Sequence, residues 1–221
     1  MQENRIIIAP SILSADLAKL ESEIQEVAAA GISWLHIDVM DGSFVPPITF
    51  GTNIVKLIKR INPSLHLDVH LMINNPERHI ESFIEAGSNS LTIHREATSH
   101  AHRLLSQIRA AGVLAGISIN PATPVLTIYD ILEVTDIALI MSVNPGWGGQ
   151  KFIENSIQKI ASLNEEIKRR GTNTRIEVDG GINKDTAPLV TAAGATLLVA
   201  GNAVFGAKDR AAAIKEIEKN I

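Results

Sequence analysis

The sequence predicts an α/β fold, a single (β/α)8 barrel of the TIM type spanning residues 1–221. Three observations point there. Short β-rich runs alternate with helical stretches from end to end, and such alternation builds a parallel sheet with helices outside it. Eight β-then-α units fit within 221 residues, with no linker or low-complexity tract between them. Polar side chains gather where the strands end, although the strands themselves are rich in Ile, Leu and Val. In a barrel that end carries function. An open doubly wound sheet is the runner-up, but no strand–Gly-x-Gly-x-x-Gly–helix stands at the start to support it.

The units run in order. A strand over 6–10 leads to a helix over 15–30, stopped by Gly31. A strand over 34–40 precedes a helix over 53–61, and a strand over 65–72 precedes a helix opened by Pro76 and closed by Gly87. Strands over 90–94 and 113–119 are followed by a helix over 101–111 and a short one over 124–132. A strand over 136–143 precedes a long helix over 153–170, ended by Gly171. Strands over 175–179 and 196–200 are followed by helices over 185–193 and 209–220.

Composition narrows the function. Apolar residues make up 45% and charged residues 20%, as in ordinary globular chains. No apolar run approaches a membrane span. The opening Met1-Gln2-Glu3-Asn4-Arg5 lacks the pattern of a secretory leader, so a cytoplasmic location is expected. The absence of cysteine excludes disulfides, thiolate nucleophiles and Cys-built zinc sites. A net charge of −4, few aromatics and no basic run argue against nucleic acid as a partner. An anionic ligand would need local attraction from backbone amides, helix N-termini or a metal.

Side chains on a strand alternate faces. In Leu35-His36-Ile37-Asp38-Val39-Met40, the residues His36, Asp38 and Met40 therefore face the barrel axis. The next strand repeats the pattern with His66, Asp68, His70 and Met72, and the seventh with Arg175, Glu177 and Asp179. Burying so many ionisable groups costs several kcal/mol each unless they are paired or bind metal. His36, Asp38, His70 and Asp179 form a candidate N/O metal site, suited to Zn2+, Fe2+, Mn2+ or Co2+. A hydrogen-bonded cluster that merely fills the barrel is the competing reading. Asp68 and Glu177, one inward step lower, either orient the ligating imidazoles or pair with Arg175 or His66.

Glycine-rich turns follow strands six to eight: Gly146-Trp147-Gly148-Gly149, Gly180-Gly181 and Gly201-Asn202. Bare backbone amides after strands seven and eight form the recurring phosphate cradle of this architecture, and it needs no lysine. Met40, Met72 and Met141 fall at strand ends, where they either fill the core or cap a reacting carbon and exclude water. No strand ends in lysine, which argues against a Schiff-base aldolase. No Asp-x-Lys-x-x-Asp array and no Ser-His-Asp elbow is readable. These parts suit proton transfer next to a carbonyl, one aspartate taking the proton and a second returning it, with a metal stabilising the enediolate.

At these residues the chain resembles the ribulose-phosphate 3-epimerase family. The resemblance is carried by Ala9-Pro10-Ser11-Ile12-Leu13-Ser14-Ala15-Asp16, residues 36–42, Asp68-Val69-His70-Leu71-Met72, Asn120-Pro121-Ala122-Thr123-Pro124, residues 141–150, residues 177–181 and Ala200-Gly201. It implies a barrel of ribulose-phosphate-binding type that interconverts D-ribulose 5-phosphate and D-xylulose 5-phosphate in the pentose phosphate pathway. It implies one divalent cation per subunit on His36, Asp38, His70 and Asp179. Asp38 would accept the proton and Asp179 donate it in one direction, with the roles exchanged in the other. Ser11 and His70 would contact the sugar. Gly146, Trp147, Gly148, Gly149, Gly180, Gly181, Gly201 and Asn202 would hold the phosphate end. A homo-oligomer, dimer or hexamer, is also implied. Pro47, Trp147 and Asn202 depart from the family's usual Asn, Phe and Ser. A 3-epimerase of a six-carbon ketose phosphate (allulose 6-phosphate type) and a metal-dependent phosphate-ester hydrolase are the alternatives.

Overall fold

The computed structural model describes residues 5–221. Residues 1–4, on which the expectation about a leader partly rests, lie outside the described residues. Eight parallel strands form the sheet: β1 (Ile7–Ala9), β2 (Trp34–Met40), β3 (His66–Met72), β4 (Ser90–His94), β5 (Leu114–Ile119), β6 (Ile137–Met141), β7 (Arg175–Asp179) and β8 (Leu197–Val199). Their order is β1-β8-β7-β6-β5-β4-β3-β2. A lone parallel bridge between Ser11 and His36, with the His36 amide donating to Pro10 O at 3.0 Å, joins β2 back to β1. The predicted (β/α)8 barrel is therefore the observed fold.

Helices α1 (Leu20–Ala29), α2 (Thr52–Ile61), α3 (Ile80–Ala86), α4 (Ala101–Ala110), α5 (Asn155–Arg170), α6 (Ala187–Ala193), α7 (Asn202–Phe205) and α8 (Arg210–Glu218) surround it. Leu35, Ile37, Val39, Leu67, Val69 and Leu71 pack outward in one cluster with Ile24 and Val27 of α1 and Val55 and Ile58 of α2. Burying a side chain of this size contributes about 1.5–3 kcal/mol, so the alternation of β2 and β3 fixes which residues remain for the interior. Gly87, Gly171 and Gly194 close α3, α5 and α6, as the sequence predicts.

Four elements differ from expectation. The helix expected to open at Pro76 begins at Ile80, after a 3-10 turn over Pro76–Arg78. The helix expected from residue 15 begins at Leu20. The Ser11 and Asp16 side chains accept the amides of Leu13 and Ala18, which caps two 3-10 turns, Ile12–Ser14 and Leu17–Lys19, before it. The short helix expected over 124–132 is a 3-10 helix, Val125–Val134, with no side-chain cap. Its Val, Ile, Thr and Tyr residues have weak α-helix preference. The helix α7, directly after the Gly201 turn, was not expected.

Inside the barrel, Gly116 of β5 stands opposite Thr92 of β4. A Cβ there would lie 1.9 Å from Thr92 Oγ1 and 3.0 Å from Thr92 Cα. Gly116→Ala is expected to destabilise the chain by about 1–3 kcal/mol, a fall in Tm of roughly 3–10 °C. Calorimetry checks this, and an unchanged Tm would show that β4 and β5 separate freely.

Candidate active site

β2, β3 and β7 deliver their inward residues to the C-terminal end of the barrel. His36, Asp38 and His70 are buried. One ligand atom from each of His36, Asp38, His70 and Asp179 lies within 4.8 Å of the others. The four residues singled out from sequence are thus brought together. Asp38 and Asp179 also line one cavity of about 280 Å³ at this end. Among the described residues no lysine or arginine lines it.

The surroundings of each group fix its chemistry. Ser11 Oγ donates to Asp38 Oδ2 at 2.5 Å, and His36 Nε2 and His70 Nδ1 lie 3.3 and 3.4 Å from Asp38 Oδ1. Burial works to raise the Asp38 pKa, but the His36 charge first, and the close His36 and His70 imidazoles with it, hold it well below the usual carboxylate range. Asp179 is the opposite case: burial, then the negative charge of Asp38, push it up to about 7. Burial opposes the charge on His36, yet Asp38 beside it, the hydrogen bond to Asp68 and the nearby Glu177 raise its pKa well above the usual value. Burial lowers His70 to about 4, so this imidazole is neutral at pH 7.

Asp68 and Glu177 sit beneath this layer. Asp68 Oδ2 lies 2.6 Å from His36 Nδ1, and Ser90 Oγ donates to Asp68 Oδ1 at 2.5 Å. Burial pushes Asp68 up, but His36 and Ser90 hold it below the carboxylate range. Glu177 Oε1 is 3.4 Å from His36 Nδ1, and burial and the Asp68 charge raise its pKa well above normal. His66 instead stacks on Trp34 with ring centroids 3.4 Å apart. Of the two sequence readings, the geometry matches orientation of an imidazole, and the imidazole is His36.

The donor set fits a divalent cation. His36 Nε2 is buried without a hydrogen-bond partner while Nδ1 is engaged by Asp68. With Nδ1 held by Asp68, Nε2 is the nitrogen a cation would take on displacing the imidazolium proton. Two ionised buried carboxylates, Asp38 and Asp68, face a single imidazolium, so the cluster is short of positive charge. The sign for stability follows from Asp179. Its carboxyl holds a proton up to about pH 7 in the folded chain and releases it near 3.9 when unfolded. Its stabilising protonation is complete below the unfolded pKa and is lost as pH rises towards 7. Metal-free protein is expected to melt lower at pH 8 than at pH 5.5, and Asp179→Asn to flatten that slope. Thermal scans across pH check both.

The glycine turns line the same cavity: Gly146, Gly148, Gly149, Gly180, Gly181 and Gly201, together with Trp147 and Asn202. Gly180 and Gly181 have φ of 120° and 65°. A Cβ on Gly180 would meet Val143 Cγ2 at 2.5 Å, and one on Gly181 would meet Phe152 N at 2.9 Å. Only glycine keeps this backbone bare beside the cavity. Trp147 is 56% exposed, and Gln150 Nε2 donates to Asn144 O and Trp147 O, tying that turn together. Met40, Met72 and Met141 are buried along the wall. In the loop after β2, Asp41 accepts the amides of Ser43, Phe44 and Asn74. Pro47 there sits against Gly146.

Ser14, Gln150 and Asn183 also line or brace the cavity, and sequence reasoning gave them no role of their own. Ser14 and Gln150 lie inside the segments that carried the family resemblance. Nothing in the sequence marked Asn183. His94 is legible as the polar end of the fourth strand but without a role, and Glu96 not at all. His94 Nε2 is 2.8 Å from His70 Nε2, and His94 Nδ1 is 3.2 Å from Glu96 Oε2.

A carboxylate–imidazole cluster at the functional end of a closed barrel, beside a glycine-lined cavity, defines a (β/α)8-barrel enzyme of acid–base type. The chain belongs to the ribulose-phosphate 3-epimerase family, whose model matches residues 7–205. It is 51% identical over 213 residues to the ribulose-phosphate 3-epimerase of Bacillus subtilis, covering 96% of this chain and 98% of that protein. It is 49% identical over 215 residues to the chloroplastic ribulose-5-phosphate-3-epimerase of Arabidopsis thaliana, covering 96% of this chain and 76% of that protein. Among solved structures, a 3-hexulose-6-phosphate synthase superposes with a TM-score of 0.72 at 18% identity, over 98% of this chain and 99% of that one, a likeness of fold alone. The chain is thus an isomerase by family. No helix among the described residues is long and apolar enough to cross a membrane.

Proposed function

We infer that the chain inverts C3 of D-ribulose 5-phosphate to give D-xylulose 5-phosphate, reversibly, as a step of the pentose phosphate pathway. One observation carries this beyond the family match: two aspartates on a single cavity whose surroundings drive their pKa values apart. Asp38 is an ionised base and Asp179 a carboxyl that holds its proton up to about pH 7. A pair with opposite protonation is the division of labour that a two-base epimerisation needs.

In one direction Asp38 takes the C3 proton and Asp179 delivers its own to the other side of the same carbon. In reverse the roles exchange. Ser11, donating to Asp38, holds the base in place and reaches the sugar, as does His70. His36, Asp38, His70 and Asp179 would hold one divalent cation, Zn2+, Fe2+, Mn2+ or Co2+. When bound, the cation would polarise the ketose carbonyl and stabilise negative charge on the substrate oxygens. Met40, Met72 and Met141 keep water from the reacting carbon, which strengthens each charge interaction there. The bare amides of Gly146–Gly149, Gly180, Gly181 and Gly201, with Trp147 and the Asn202 amide side chain, would take the phosphate.

A single domain over 1–221, a cytoplasmic location and a homo-oligomer belong to the same proposal; the first rests on the eight-unit barrel and the last on the family resemblance. Incubation with ribulose 5-phosphate in heavy water tests the chemistry. The expected result is deuterium at C3 of newly formed xylulose 5-phosphate, with faster turnover than allulose 6-phosphate gives. Product without C3 deuterium would exclude proton transfer through solvent-exchangeable aspartates.

A further inference from the structure

Outside the aspartate pair, another buried imidazole stands at the end of β4. His94 ends that strand, fully buried, between the His70 imidazole and the Glu96 carboxylate. The contacts run His70 Nε2–His94 Nε2 at 2.8 Å, then His94 Nδ1–Glu96 Oε2 at 3.2 Å. Glu96 uses its other oxygen for the loop after β5, accepting the Asn120 amide at 2.8 Å and the Thr123 hydroxyl. Lys159 Nζ holds the same loop from the other side, donating to the carbonyls of Asn120, Pro121 and Thr123.

We propose that Glu96, acting through His94, is the positioning residue that sets the His70 tautomer and so leaves His70 Nδ1 free to bind a cation. A carboxylate only accepts hydrogen bonds. His94 Nδ1 facing Glu96 therefore carries the hydrogen, and the neutral ring accepts at Nε2. The only hydrogen available to that acceptor is on His70 Nε2. Asp38 Oδ1 alone would favour a hydrogen on His70 Nδ1, but that contact is long at 3.4 Å; the 2.8 Å contact to His94 outweighs it and leaves the Nδ1 lone pair facing the cluster. Each link is one-way, so a carboxylate outside the cavity determines which nitrogen of a candidate ligand is available. Phe44, its ring centroid 4.6 Å from that of His94, covers the relay from the loop after β2.

The inference rests on the cation reading above, but its test separates from it. Glu96→Gln replaces one oxygen by a donor without changing shape. The two loop donors keep the amide oxygen, so the new NH2 group faces His94 and reverses every link, placing a hydrogen on His70 Nδ1. Nitrogen-15 spectra of the metal-free wild type should show His94 protonated at Nδ1 and His70 at Nε2, and Glu96→Gln should invert both. Zinc affinity, measured by competition with a chromogenic chelator, should fall about 10- to 100-fold in Glu96→Gln. Thr123→Val removes a Glu96 loop bond but leaves the relay intact, and should bind zinc within twofold of wild type. Wild-type His94 protonated at Nε2 would overturn the proposal, whether or not Glu96→Gln folds. So would a Glu96→Gln affinity within twofold of wild type, or an equal loss in Thr123→Val. A wild type that binds no zinc, manganese or cobalt would instead overturn the cation reading and leave the tautomer result standing.

Discussion

Asp38→Asn and Asp179→Asn are each expected to lower epimerisation by about 10³-fold or more, while circular dichroism and thermal melting show a folded chain. General acid–base catalysis contributes roughly 10²–10⁴-fold, and each replacement also removes a carboxylate from the four-residue cluster. The two variants should fail differently. With Asp38 intact, Asp179→Asn can still exchange the C3 proton of the epimer that presents it to Asp38, so deuterium washes in without inversion. Asp38→Asn should show the converse with the other epimer. Metal content measured on each variant separates a lost base from a lost ligand. Near wild-type turnover in either one removes that aspartate from the mechanism.

Metal removal should be nearly as severe. Charge stabilisation by a bound cation is worth several kcal/mol, and that corresponds to about 10³-fold in rate. Purified protein is expected to carry about one divalent ion per chain, since the two carboxylate–imidazole groups share His36 and only the one with Asp38 and Asp179 opens on the cavity. Dialysis against a chelator should abolish turnover, and about one equivalent of zinc, manganese, cobalt or ferrous ion should restore it. Full turnover with metal verified absent would leave the aspartates to work alone. His36 and His70 would then be parts of a charge network only.

The barrel and its central four residues were legible because strand alternation is a strong, short-range rule. Once Leu35, Ile37 and Val39 are assigned to the helix side, His36 and Asp38 have only the interior left, and the same holds for His70 and Asp179. The relay through His94 and Glu96 was not legible. Glu96 lies in a 3-10 turn, Arg95–Ala97, beyond the strand, where alternation no longer applies. No sequence pattern says which ring nitrogen meets which neighbour. The 3-10 helix Val125–Val134 was misjudged for the converse reason: its apolar spacing suits a helix, but its β-branched residues and missing cap do not favour the α form. Helix α7 is only four residues long, too brief to leave a periodic trace.

The join between β1 and β2 has a consequence of its own. Every other neighbouring pair of strands shares a ladder of three or more registered residues, whereas among the described residues this one is joined by a single bridge, Ser11 to His36. Ser11 also reaches across it to Asp38. One residue therefore supplies both the last stitch of the cylinder, through its backbone, and the hydroxyl that grips the proposed base. A first strand that loosens is expected to release Asp38 before the helices unravel, and amide exchange at His36, whose N–H donates to Pro10 O, would register that opening.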